Sequence, residues 1–158
     1  MRLQLLSVGK PRATALATAT RDYITRAQRY GALDWTTVAS EDVAPRASAA
    51  DVEVALGKEA GRILAKLPAP ALVVTLDRQG QAWTSLELAK ALGEWQQHER
   101  HVALVVGSAF GLHGRVLERA RLRLSLSRLT LPHELALLVV AEQLYRAHTI
   151  LRGEPYHK

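Results

Sequence analysis

The chain has 158 residues, 48% hydrophobic and 23% charged, with 21 basic against 15 acidic side chains for a net charge of +6, and no cysteine. That length suits one domain, 1–158, with a real core, since a chain near 150 residues hides about 70% of its unfolded surface. The balance excludes a disordered tail and a fibrous protein, and the lack of cysteine excludes disulfides, thiol nucleophiles and the usual structural zinc sites. The longest apolar run, Leu135 to Ala141, is far short of the about 20 residues that cross a bilayer, so no membrane is expected. The opening MRLQLLSVGK lacks the apolar stretch and cleavage site of a secretory signal, and a cytoplasmic protein is expected.

In chain order, strand-length apolar runs alternate with stretches of helical period, the pattern of a parallel sheet wrapped by helices. A strand over Leu3 to Val8 leads to a helix over Ala13 to Tyr30, with Gly31 placed for a left-handed cap. Asp34 to Ala39 is the second strand, and Ser40 to Ala50, with Pro45, reads as an exposed loop before a helix over Asp51 to Leu67. The third strand, Ala71 to Leu76, precedes a helix over Ser85 to His98, announced by the capping-box spacing of Thr84 and Glu87. Val102 to Val106 is the fourth strand. A helix over Leu112 to Arg121, a short strand around Leu124 to Leu129 and a helix over Pro132 to Leu151 complete the order.

The apolar residues of the last helix, among them Leu135, Leu137, Val139, Leu144 and Leu151, are spread around its circumference. Such a helix needs cover on two sides. The sheet supplies one, and a second subunit is expected to supply the other, which predicts a homodimer.

In an open parallel sheet a ligand binds beyond the carboxyl ends of the strands. Strand three runs into Asp77-Arg78-Gln79-Gly80, and strand four into Gly107-Ser108-Ala109-Phe110-Gly111, where glycines let backbone approach a ligand. The loop alone is also compatible with an ordinary strand-to-helix turn. The third segment, Ser127 to Glu134, is apolar for a connection, which suits the edge of a flat aromatic ligand or a buried helix entry. His133 starts the last helix, where a neutral imidazole can bind a ligand or a base. His133 and Arg146 are thirteen positions apart, or about 20 Å of helix, so they meet over one small ligand only across a two-fold axis.

The charge is concentrated at the ends. Residues 1–50 carry 7 basic and 4 acidic groups, 51–100 carry 6 and 7, and 101–158 carry 8 and 4. A basic surface favours a polyanion, although this modest excess does not by itself identify one. The histidines lack metal-ligand spacing, so no metal is expected.

Thr75-Leu76-Asp77, the 107–111 loop, Leu129-Thr130-Leu131-Pro132-His133, Glu142-Gln143-Leu144-Tyr145-Arg146-Ala147 and the ending Pro155-Tyr156-His157, in this order, resemble one family. It is the ribosomal RNA large subunit methyltransferase H family, small single-domain SPOUT methyltransferases, and the resemblance covers essentially the whole chain. It implies a parallel-sheet α/β fold with a C-terminal deep trefoil knot and an obligate homodimer. It also implies methyl transfer from S-adenosylmethionine to N3 of a pseudouridine in large-subunit ribosomal RNA, on the assembled ribosome. By the same resemblance Leu76, Gly107, Ser108, Ser127, Arg128, Leu129, Thr130, Leu131 and Pro132 hold the cofactor. His133, Arg146, Tyr156 and His157, with Lys158 beyond them, lie toward the RNA and the reacting base.

Ser108 stands where the family loop generally has a second glycine. Serine presents the same backbone amide provided position 108 needs no positive φ. If it does, a rival reading gains ground, a non-catalytic knotted protein that binds RNA or the ribosome. A third reading, a small nucleotide-binding enzyme with an open parallel sheet, explains the strand ends but gives the Leu129-Thr130-Leu131-Pro132-His133 segment and the charged tail no role. An imide nitrogen becomes a nucleophile only when its proton leaves, so a base or a stabilising cation is required. Arg146 suits stabilisation, and either His133 or His157 suits the base.

Overall fold

The computed structural model describes residues 1–158. Its elements are β1 (Arg2–Val8), α1 (Thr14–Ala27), β2 (Ala32–Val38), α2 (Ala49–Lys66), β3 (Leu72–Ala82), α3 (Ser85–His98), β4 (His101–Val106), α4 (Gly114–Arg119), β5 (Leu122–Ser125) and α5 (His133–Leu151). The strands form one parallel sheet in the order β2-β1-β4-β3-β5. Both faces are covered, which is why the central strands read as continuous apolar runs rather than alternating ones. Leu3, Leu5, Val74, Val102 and Leu104 pack beneath α1, α3 and α5, while Leu6, Val8, Val73 and Val105 face α2 and α4.

Several boundaries differ from the sequence reading. α1 stops at Ala27, and Gly31 is not left-handed; the glycines with positive φ are Gly9, Gly111 and Gly153. Residues 28–30 instead turn so that the Tyr30 ring stacks on His148 of α5, centroids 5.3 Å apart. β3 continues to Ala82 because, after Leu76, its pairing with β5 jumps from Leu76↔Leu124 to Gln81↔Leu124. Asp77 to Gly80 are thereby pushed out of register beside the sheet's carboxyl end. α4 is only six residues long, since His113 Nδ1 accepts the Arg115 amide at one end and the Arg121 amide donates to Val73 in the sheet at the other. β5 ends at Ser125, and the apolar segment after it is a connection rather than a strand.

α5 lies on the sheet between α1 and α3 of the same chain. Leu137, Val140, Ala141, Leu144 and Ala147 are buried there. Its cover on two sides is therefore supplied within the chain, and the breadth of its apolar surface does not by itself call for a second subunit. No helix is long and apolar enough to cross a membrane.

Candidate functional site

A cleft of about 880 Å³ opens at the carboxyl ends of β3, β4 and β5. Its walls are the displaced Leu76–Gln79 segment, the loop from Val106 to Leu112, the connection from Ser125 to Pro132, and the start of α5 at His133 and Ala136. Leu76, Gly107, Ser108, Ser127, Leu129, Thr130, Leu131 and Pro132 all line it, as does His133. Arg128 does not; it is exposed, between two residues that do. Asp77, Arg78, Gln79, Phe110, Leu126 and Ala136 also line the cleft.

The 107–111 loop is built by close backbone approach. A Cβ on Gly107 would stand 2.7 Å from the carbonyl carbon of Gly111, so a side chain there requires the loop to move. The Gly111 amide donates to the Ser108 carbonyl at 3.0 Å, and Gly111, at φ 92°, takes the left-handed conformation. No residue other than glycine has positive φ. Ser108 therefore occupies its place in the wall without a strained backbone.

Two polar atoms of lining residues are buried without a hydrogen-bond partner, Ser108 Oγ and His133 Nε2. Buried polar groups are nearly always satisfied, and these two are the exceptions among the lining residues; His133 Nε2 lies 4.0 Å from where a Cβ on Gly9 would stand. Leu129 and Phe110, 76% and 52% exposed, give the same cleft apolar surface. A ligand with a flat apolar body and a polar edge fits this combination. The start of α5 is fastened by its neighbour: Glu134 accepts the Arg12 amide at 2.6 Å and the Ala13 amide at 3.4 Å, just ahead of α1, whose cap residue Ala13 has no capping side chain of its own. The Arg12 amide, more than any other contact, holds the Glu134 carboxyl below the usual glutamate range.

A second cluster forms at the far end of α5. Arg146 donates to Glu142 Oε1 through Nε at 2.9 Å and Nη2 at 2.6 Å, and the Tyr156 hydroxyl donates to the same oxygen at 3.0 Å. Arg146 Nη1 approaches His157 Nδ1 at 3.4 Å, and its guanidinium lies 4.7 Å from the Tyr156 ring centre. Hydrogen bonding to Glu142 raises the arginine pKa further above its ordinary value. Burial, then hydrogen bonds with Tyr23 and Glu142, raise that of the Tyr156 phenol, which stays protonated at neutral pH.

The structure thus brings together Arg146, Tyr156 and His157, and separately the cleft with His133. It does not bring the two groups together, because α5 separates His133 from Arg146 by thirteen residues, about 20 Å. Glu142 and Tyr23 were not among the sequence-derived candidates. The i, i+4 spacing of Glu142 and Arg146 was the available signal for the first, while Tyr23 sits on a different helix and had none.

The family model described as "Predicted SPOUT methyltransferase" matches residues 1–157. Ribosomal RNA large subunit methyltransferase H of Gemmatimonas aurantiaca is 50% identical over 158 residues, the full length of both chains. The proteins of the same name from an Anaeromyxobacter species and from Bacillus pumilus are 44% and 38% identical, again over the whole of each chain. A match this complete, on a parallel sheet with a cleft at its carboxyl edge, shows that the chain belongs to the SPOUT methyltransferase family.

Proposed function

We propose that this methyltransferase moves a methyl group from S-adenosylmethionine to N3 of a pseudouridine in large-subunit ribosomal RNA, acting on the assembled ribosome in the cytoplasm. The observation that carries the reading is the cleft, which joins exposed apolar side chains to two orphaned polar atoms, Ser108 Oγ and His133 Nε2, at the carboxyl edge of the sheet. Leu76, the backbone of Gly107 and Ser108, and Ser127 with Leu129 to Pro132 hold the cofactor. Arg128, exposed between Ser127 and Leu129, belongs to the same cofactor segment through its backbone. When bound, the sulfonium supplies an electrophilic methyl group for in-line attack.

The remaining work belongs to the chain. Arg146, held by two bonds to Glu142, keeps a positive charge where the base becomes an anion on losing its N3 proton. His157 Nδ1 faces a guanidinium donor, so its lone pair is already engaged, whereas His133 Nε2 has no partner. That contrast favours His133 as the proton acceptor, with Tyr156 and His157 orienting the base.

We propose a homodimer in which the Arg146 cluster of one chain completes the cleft of the other, because within one chain the two lie at opposite ends of α5. We also propose that the whole chain is one catalytic domain with a C-terminal trefoil knot. Its support is the course of residues 126–132, which leave the edge strand β5 and pass the 107–112 loop across a shared cleft before α5 returns to the middle of the other face. Joining the chain ends covalently in the native state would trap a knotted ring, with a denatured gel mobility different from that of a ring closed in denaturant; equal mobilities would refute the knot. Calorimetric titration with S-adenosylmethionine tests the cofactor assignment. Saturable binding is expected, and no heat at millimolar cofactor overturns it.

The non-catalytic reading depended on Ser108 spoiling the loop, and Ser108 has no positive φ.

A further inference from the structure

The chain beyond α5 is folded back rather than frayed. Arg152 caps the helix, Gly153 follows at φ 67°, the Gly153 amide donates to Ile150 at 3.1 Å and the Glu154 amide to Thr149 at 2.9 Å. This pair of bonds closes a helix through a left-handed glycine and reverses the chain. The Tyr156 amide then donates to the Glu154 carbonyl at 2.9 Å across Pro155, and Tyr156 and His157 return to Glu142 and Arg146.

One side-chain bond ties this hook to the end of α1. The Tyr30 hydroxyl donates to Glu154 Oε2 at 2.6 Å, across 124 positions of sequence. The Tyr30 ring is immobilised without its hydroxyl: it stacks on His148, lies 6.2 Å from the Tyr145 ring and has the Arg152 guanidinium 6.0 Å from its centre. Tyr145 in turn meets Tyr156 edge-on at 4.8 Å. A short bond to a carboxylate from a ring already fixed loses less entropy than the usual exposed pair, which contributes little. The Glu154 carboxylate, followed by burial, pushes the Tyr30 phenol up to about 12, so the donor persists throughout the neutral range.

We propose that the Tyr30–Glu154 bond is a latch for the C-terminal hook, and that Tyr30 and Glu154 are positioning residues acting through Tyr156 and His157. Neither touches the cleft. The inference rests on the functional reading above, in which the hook meets the reacting base. A chain terminus without such a tie frays, and every open conformer removes Tyr156 and His157 from their places beside Arg146.

Tyr30→Phe keeps the ring and removes only the hydroxyl, Glu154→Ala removes the acceptor, and Glu154→Gln retains one. In the full-length protein, the first two are expected to lower kcat about three- to tenfold, the range one hydrogen bond supports, with the S-adenosylmethionine Kd unchanged and Glu154→Gln close to wild type. Hydrogen exchange of the 153–158 segment, read by mass spectrometry, should quicken in Tyr30→Phe and Glu154→Ala and not in Glu154→Gln. Unchanged exchange would overturn the latch, and faster exchange with unchanged kcat would overturn the positioning role. If the wild-type protein transfers no methyl group, the functional reading fails and takes the positioning role with it, whereas the exchange result still decides whether the latch exists.

Discussion

Gly107 and Gly111 divide the backbone work of the 107–111 loop. The left-handed conformation falls on Gly111 and the close backbone approach on Gly107, which leaves Ser108 an ordinary residue of the cleft wall. Ser108→Gly is accordingly expected to retain S-adenosylmethionine binding. Gly107→Ala forces the loop apart and should cost about 1–3 kcal/mol of stability, seen as a lowered thermal midpoint together with loss of binding. Equal tolerance of both substitutions would show that the loop yields without consequence. At this scale most of the cleft lining was legible, because Leu76, Ser127 and Leu129 to Pro132 lie at or just beyond strand ends. Arg128 falls off the cleft lining because a backbone segment can line a cleft while one of its side chains points to water. Glu134 was missed because its partners, the Arg12 and Ala13 amides, are backbone groups more than a hundred residues away.

α5 organises the molecule at the scale of elements, carrying His133 at its first turn, Arg146 three and a half turns on, and His148 in its last. His148 is 5% exposed, and burial, followed by the nearby Arg152 charge, lowers its pKa below the ordinary histidine value. The folded protein therefore binds this proton less readily than the unfolded chain. Stability from the neutral imidazole is complete above the unfolded value of about 6.5, and is lost as pH falls below it toward the depressed folded value. Thermal midpoints measured from about pH 7 to about pH 5 should fall more steeply for the wild type than for His148→Phe, which keeps an aromatic ring against Tyr30; parallel slopes would contradict this assignment. The carboxyls of Asp51, Glu87 and Glu134, held below their ordinary values by hydrogen bonds, lose their contribution only at more acid pH.

Element order was legible because each central strand is apolar on both faces and each long helix has its own period. The Thr84–Glu87 box was read, while in the equivalent Ser48–Asp51 box Ser48 falls in the segment read as loop and Asp51 at the expected helix start. The second half of β3 escaped because Arg78 to Gln81 have no apolar pattern, and only Gln81 and Ala82 rejoin the edge strand, after a register shift. The end of α1 escaped because Tyr30 packs on His148, a tertiary contact that no local pattern encodes.

For the whole molecule, one chain carries a cleft at one end of its longest helix and a cationic aromatic cluster at the other, and the proposed composite site draws on two copies. Thr130→Trp, which fills the cleft from an exposed position, and Arg146→Ala should each abolish turnover. Mixed and allowed to exchange subunits, they should recover about a quarter of wild-type activity, since half the dimers are mixed and each mixed dimer has one intact site. Activity no greater than the sum of the two separate proteins would contradict the composite site. The central claim is tested most directly by incubating the protein with labelled S-adenosylmethionine and intact ribosomes that lack the modification, then locating the methyl group by mass spectrometry. The prediction is 3-methylpseudouridine in the large-subunit RNA; no incorporation by folded protein, or a methyl group on any other nucleoside, would contradict it.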